Sequence, residues 1–268
     1  MQLYSIFLTA ADTSYLGRVA KSSLSTQTLM EIFFAGIENR EVICGSGEEP
    51  AEIEKWEGFE YCHEQPTNYT EKHFKIAWTG RKLVGSIDLQ WLPLTLSSLQ
   101  ASRNKLGGSL NTNALPPSIQ VLDLCFNELS GEIDLRHLPA KIKALFLSKN
   151  QLSGSLNLEK LPQSIEVLYL ACNHFSGSVC FRHLPASLQE LSVGENDLFG
   201  MVDLTRLPVT MNSLWLHSNY FEGKTDFSEL PESLEKLYVS YTNLSGKIIA
   251  RNGETFFDVE NSNVELVQ

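Results

Sequence analysis

The stretch LPQSIEVLYLACNHFSGSVCFRH, Leu161 to His183, is followed at once by a second Leu-Pro pair at Leu184-Pro185. The same pair stands at Leu92, Leu115, Leu138, Leu161, Leu184, Leu207 and Leu230, each 23 residues after the last. Two further columns keep the phase: Asn104, Asn127, Asn150, Asn173, Asn196 and Asn219, and Gly85, Gly108, Gly131, Gly154, Gly177, Gly200, Gly223 and Gly246. A fixed period with no insertion marks a repeat array in which each unit stacks on its neighbours. The chain completes one coil and restarts at the same angular position.

The unit LPPSIQVLDLCFNELSGEIDLRH, Leu115 to His137, shows how. Leu122 and Leu124 alternate with Val121, Asp123 and Cys125, the pattern of a short strand with one face in the core. Stacked copies of that strand predict a parallel sheet. Asn127 follows it with an amide that both donates and accepts, suited to backbone groups a turn would leave buried and unpaired. Gly131 permits close backbone approach, and a second extended segment over Ile133 to Leu135 is expected against the back of the coil. Proline fixes φ and gives up an N–H on the return, where no ladder bond is needed. One coil buries too little apolar surface to offset the ordering of its own backbone, so the array is expected to fold as one domain.

The pattern carried by Ile119, Leu122, Leu124, Asn127 and Leu129 resembles the leucine-rich repeat family. The continuation LSGEI at Leu129 to Ile133, echoed by LSGSL, FSGSV and LSGKI in other units, is similar to the LSGxI extension of the plant-type subclass. The resemblance implies a mainly β or α/β fold: a right-handed solenoid with a concave parallel β-sheet, short second extended segments on the back and a partly helical N-terminal cap.

The ends depart from the period. We expect an N-terminal cap over residues 1–68, a solenoid of about eight coils over 69–252 and a C-terminal cap over 253–268. The unit from Tyr69 keeps Ile76, Trp78, Leu83, Gly85, Ile87 and Leu89 in phase but has Arg81 at the asparagine position. At the other end Thr242 takes that position, and Phe257 and Val259 are candidates for a final strand. In the cap, Thr28 followed by Glu31 reads as a capping box, opening an amphipathic helix of about ten residues through Leu29, Ile32, Phe33, Phe34 and Ile37. Trp56, Gly58 and Cys62 resemble an element of plant-type N-terminal caps, in which the resemblance implies a second, paired cysteine. Here the nearest other cysteine is Cys44.

The 268 residues carry a net charge of −11, which repels phosphate backbones and anionic membranes, so neither nucleic acid nor membrane insertion is expected. No apolar run reaches the length of a membrane span, and LYSIFLTAA near the start lacks a basic region before it. Five cysteines, Cys44, Cys62, Cys125, Cys172 and Cys180, show no CxxC pair and read as reduced thiols of a cytoplasmic protein. The triplets Asn68-Tyr69-Thr70 and Asn243-Leu244-Ser245 keep a secreted or cell-surface setting open.

No catalytic constellation, cofactor motif or metal set stands out, and the chain is expected not to be an enzyme. The histidines fall in different columns or in the cap, and His137 and His183, two coils apart in one column, read as solvated convex residues. The column Asp88, Asn111, Asp134, Asn157, Asp203 and Asp226 reads as side chains bonding local backbone, with calcium the alternative. More telling is the column between the strand leucines: Ala77, Gln100, Asp123, Phe146, Tyr169, Ser192, Trp215 and Tyr238. Its aromatics are expected on the concave face beside a column of small residues that leaves room for a partner's side chains. Tyr and Trp anchors ringed by polar groups match protein-binding hot spots; the competing reading is that the rings pack on one another and stiffen the sheet.

The expected function is therefore a non-catalytic module that binds a protein or peptide through Asp123, Phe126, Phe146, Tyr169, Glu195, Trp215, His217, Tyr238 and Tyr241. A secreted or surface recognition domain for a carbohydrate or foreign protein, and a purely structural spacer, are the alternatives. A monomer is expected.

Overall fold

The computed structural model describes residues 21–62, 72–249 and 255–267. The chain winds through two sheets that share one core. The front sheet has ten strands. It begins at Phe59–Tyr61, which pairs antiparallel with Phe74–Ala77. From there every pairing is parallel, through Leu96–Gln100, Val121–Asp123, Ala144–Phe146, Val167–Tyr169, Glu190–Ser192, Ser213–Trp215, Lys236–Tyr238 and Phe256–Asp258. The second sheet has nine parallel strands, from Val84–Ser86 to Asn263–Val267.

Between the sheets lie the strand leucines and their equivalents, with Leu122, Leu124, Leu129, Leu145, Leu168 and Leu214 fully buried. Removal of these side chains from water drives the winding. The proline carbonyl of each return accepts from the N–H three residues on, as Pro139 does from Ile142 at 3.1 Å, so the Leu-Pro pair opens a tight turn back to the front sheet.

The asparagines tie the coils together. Asn127 Oδ1 accepts from the Leu106 N–H of the preceding coil at 3.0 Å. Its Nδ2 donates to the Ala101 and Leu124 carbonyls, each at 3.0 Å. The same arrangement recurs through Asn219. A hydroxyl column adds a second tie: Ser118, Ser164, Ser187, Thr210 and Ser233 each donate to a carbonyl of the preceding coil.

Two sequence expectations need correction. The second strand of each coil is not Ile133 to Leu135 but Glu128–Glu132, so it contains the glycine. The ladder begins immediately after the asparagine because that side chain has already fixed the adjoining backbone, and Ile133 and Leu135 are core residues beyond the strand. The cap helix is Thr26–Phe33, and its N-cap is Ser25, whose Oγ accepts from the Thr28 N–H at 3.1 Å. Thr28 thus lies inside the first turn, and Glu31 bonds Gln27 Nε2 at 2.6 Å instead of closing a capping box. Cys44 and Cys62, the two cysteines that the cap resemblance sets side by side, are free thiols. Cys44 donates to the Arg40 and Ser46 carbonyls, whereas Cys62 Sγ lies 3.1 Å from Ser97 Oγ.

The cap closes the N-terminal end by packing and by pairing. Leu29, Met30, Phe33 and Phe34 are buried, with the Phe34 ring 4.5 Å from that of Trp56 and Phe33 stacked on Trp78. The Gly36 carbonyl accepts from the Ser86 N–H at 2.9 Å, and the Glu38 N–H donates to the Val84 carbonyl at 2.8 Å. A Cβ on Gly85 would stand 2.1 Å from the Gly36 oxygen, so this approach requires glycine. Asn39 accepts from the Val84 N–H and donates to the Lys82 carbonyl, tying the cap to the first coil. Arg81 turns instead to Glu57, at 2.5 Å.

At the far end, Phe256–Asp258 and Asn263–Val267 extend both sheets by one strand each, so the expected final strand is joined by another. Among the described residues, no helix is long and apolar enough to cross a membrane.

Candidate functional site

Through the regular coils the front sheet pairs each residue with its equivalent 23 positions on, Tyr169 with Ser192 and Ser192 with Trp215. Columns of the sequence therefore become rows across the sheet. The four aromatics of the outward column form one continuous row. Phe146 and Tyr169 meet edge to face with centroids 5.3 Å apart, Tyr169 and Trp215 do so at 5.8 Å, and Trp215 stacks on Tyr238 at 5.9 Å.

The middle contact crosses an intervening strand. At about 4.8 Å per strand the backbones of Tyr169 and Trp215 are roughly 10 Å apart. The rings close most of that gap by leaning over Ser192, which is buried. Each ring remains half-buried. Glu190 accepts from the Tyr169 hydroxyl, and burial and that bond both hold the phenol above its ordinary pKa.

The row continues into Phe256, 55% exposed and 5.4 Å from Tyr238. Sequence reading missed Phe256, because the last coil is shorter and its register no longer follows the period. Beside the row, the His217 ring lies 5.9 Å from that of Tyr238. It also covers Gly194, where an added Cβ would come within 2.5 Å of the ring. Part of the room expected over the column of small residues is therefore filled, since a ring from the next coil occupies it at Gly194. His217 Nε2 is 3.8 Å from Glu195 Oε1, while Nδ1 is buried and finds no hydrogen-bond partner among the described residues.

The next column holds Arg103, Phe126, Lys149, Cys172, Glu195, Ser218 and Tyr241, all with φ between 52° and 58°. Left-handed backbone at a non-glycine residue costs about 1–2 kcal/mol and is sustained here by the stacked coils. Nothing in these residue types announces that conformation. It turns their side chains to the rim, where Phe126 is exposed and sits between two cations, Arg103 at 4.6 Å and Lys149 at 4.9 Å from its ring. Tyr241 is exposed at the far end of the rim. Asp123 bonds the Cys125 N–H at 3.1 Å and lies one strand from Phe146.

The site residues thus divide into the row (Phe146, Tyr169, Trp215, Tyr238, with His217) and a charged and aromatic rim (Asp123, Phe126, Glu195, Tyr241). The thiols beside them are poor nucleophiles. Burial, then Asp123, pushes Cys125 up to about 12, and burial, then Glu195, pushes Cys172 up to about 11, so both stay protonated at neutral pH. On the opposite side of the coil, Asp88, Asp134, Asn157, Asp203 and Asp226 each accept from the N–H two residues on, which is the local backbone bonding expected of that column.

No protein-family model matches the chain, and neither does any curated protein sequence. Solved structures do share its architecture. The LRR ectodomain of the plant membrane receptor kinase GASSHO1/SCHENGEN3 from Arabidopsis thaliana, in complex with CASPARIAN STRIP INTEGRITY FACTOR 2, matches with a TM-score of 0.63 and 20% identity over 90% of this chain and 33% of that one. The plant peptide hormone receptor RGFR1 in complex with RGF2 matches with a TM-score of 0.52 and 24% identity over 64% of this chain and 29% of that one. A Pollen Receptor Kinase 3 structure matches with a TM-score of 0.51 and 26% identity over 78% of this chain and 95% of that one. The chain spans about a third of the length of the first two.

Proposed function

Because the chain is a leucine-rich repeat solenoid, we propose that it is a non-catalytic interaction module whose front, concave sheet binds a protein or peptide partner along the aromatic row. The observation that carries this reading is the unbroken line of half-exposed rings from Phe146 to Phe256. Rings already fixed by their neighbours lose little conformational freedom when a partner covers them. Two of the similar receptors are solved with a bound partner, which favours the same use of the fold.

The test is the double substitution Tyr169→Ala with Trp215→Ala. Capture of the partner from the source cell is expected to fall at least tenfold, because paired aromatic anchors typically carry about 2 kcal/mol or more each. The melting temperature is expected to move by only a few degrees. Unchanged capture by the folded variant places the site elsewhere.

A second reading concerns where the module works. The ectodomain likeness and the exposed side chain of Asn243, first residue of a glycosylation triplet, favour a surface recognition domain over a cytoplasmic one. Asn68 lies outside the described residues. Intact mass of natively sourced protein separates the two: a glycan on Asn243 supports the surface setting, and a bare asparagine supports the cytoplasmic one.

A further inference from the structure

One coil within the array has neither Asp nor Asn in the column that caps its turns. Where Asp134, Asn157, Asp203 and Asp226 offer a side-chain oxygen to the backbone, the equivalent residue is Cys180, and a thiol is a weak substitute for that acceptor. Three residues on stands His183, whose Nδ1 is 3.8 Å from Cys180 Sγ. From the preceding coil Glu159 brings Oε1 to 3.2 Å from the same Nδ1. The three donor atoms lie within 4.8 Å of one another, and this is the one such Cys/His/carboxylate grouping among the described residues.

We propose that Glu159, Cys180 and His183 form a binding site for a single borderline divalent cation, Zn2+ in the first instance. Two of the three donor separations are already close to those around a bound ion, and the third is within 4.8 Å. Zn–S of about 2.3 Å and Zn–N or Zn–O of about 2.0–2.1 Å at tetrahedral angles place S and N about 3.5 Å apart and N and O about 3.3 Å apart. The separations here are 3.8 Å and 3.2 Å. One soft, one intermediate and one hard donor suit Zn2+ or Co2+ better than Mg2+ or Ca2+, which take oxygen ligands.

The segment that presents two of the donors is anchored, because Phe181 between them is buried and packs against Phe221 at 6.1 Å. Arg182 is turned to Asp203 of the next coil, at 3.4 Å, so its cation leaves Glu159 to His183. The other histidine of the column provides an internal contrast. His137 Nδ1 bonds Asp134 at 3.1 Å, but the position that corresponds to Glu159 is Asn113, so that coil has a neutral amide where this one has a carboxylate, and no thiol.

Binding balances simply. The hydrated ion gives up all but one of its waters, the Cys180 thiol loses its proton to solvent, the His183 imidazole binds neutral through Nδ1, and Glu159 binds as the carboxylate. The centre is then uncharged, with water in the fourth position.

The test is titration of the full chain with Co2+, read by the thiolate-to-metal charge-transfer band in the near ultraviolet, followed by displacement with Zn2+. One equivalent is expected to give the band, and Zn2+ to abolish it. Cys180→Asp restores the acceptor that the repeat uses elsewhere, so the variant is expected to fold normally and to lack the band. His183→Ala is expected to weaken binding about 100-fold and Glu159→Gln about tenfold, each removing one of three ligands, whereas His137→Ala leaves it unchanged. A wild-type chain with no thiolate band overturns the proposal, as does a band that survives in Cys180→Asp, since it then comes from another cysteine.

Discussion

The two sheets are built by the same repeat yet differ in what they do with it. Through the regular coils of the front sheet each residue pairs with its equivalent 23 positions later, as Leu168 does with Leu191. In the second sheet the pairing is offset by two, Ser130 facing Gln151 and Gly131 facing Leu152. Equivalent side chains therefore stand abreast in front and are staggered behind. Only the front sheet can turn a column of aromatic residues into a row of touching rings. The large apolar residues exposed behind fall in two separate places, Phe199, Met201 and Tyr220 on two neighbouring coils and Ile249, Leu266 and Val267 on the last two strands.

The largest effect is expected where the sheets are tied together. Asn150 accepts from the Leu129 N–H of the second sheet and donates to the Leu124 and Leu147 carbonyls behind the front strands. Asn150→Leu leaves those buried groups unpaired, and a loss of about 3–5 kcal/mol is expected from the sum of orphaned partners. Urea unfolding checks this; a loss below about 1 kcal/mol would mean that water replaces the amide and that the sheets hold together without it.

A smaller effect concerns the front sheet alone. Gly194→Ala drives a methyl into the His217 ring, and about 1–2 kcal/mol of overpacking cost is expected. Adding His217→Ala should recover most of it, because the ring is the obstacle. A double-mutant cycle with no coupling contradicts the placement of His217 over Gly194.

The smallest effect lies on the capped turns. The Arg136 side chain and backbone hold the Asp134 carboxyl below its ordinary value of 3.8, Thr205 does the same for Asp203, and Ser228 for Asp226. A carboxyl depressed in the folded state contributes stability above its unfolded pKa and loses it as pH falls through the folded one. Stability is therefore expected to decline below pH 3.8. Asp134→Asn should flatten that acid limb slightly and leave the melting temperature at pH 7 within about a degree, as befits exposed groups.

How much of this the sequence discloses follows the same division. The period, the leucine core and the asparagine ties are legible because each repeats one physical demand at one phase, and Phe146, Tyr169, Trp215 and Tyr238 inherit their alignment from it. What the sequence hides is what depends on neighbours without a repeating residue type. The left-handed column is occupied by Arg103, Phe126, Lys149 and Cys172 and contains no glycine after Gly80 to signal it. Ser25 rather than Thr28 caps the helix because both residues suit the role, and only the packing of Phe33 and Phe34 on Trp78 and Trp56 fixes the helix phase. His217 over Gly194 and the lean of two rings over Ser192 are contacts between coils, invisible within any one unit.

The central claim is that the front row, not the back, meets the partner. A photoreactive phenylalanine analogue placed at Tyr238 and, in a separate variant, at Phe199 on the second sheet compares the two faces in the same cell. A covalent adduct with the captured partner is expected from position 238 and none from position 199. An adduct from position 199 with none from 238 would contradict it.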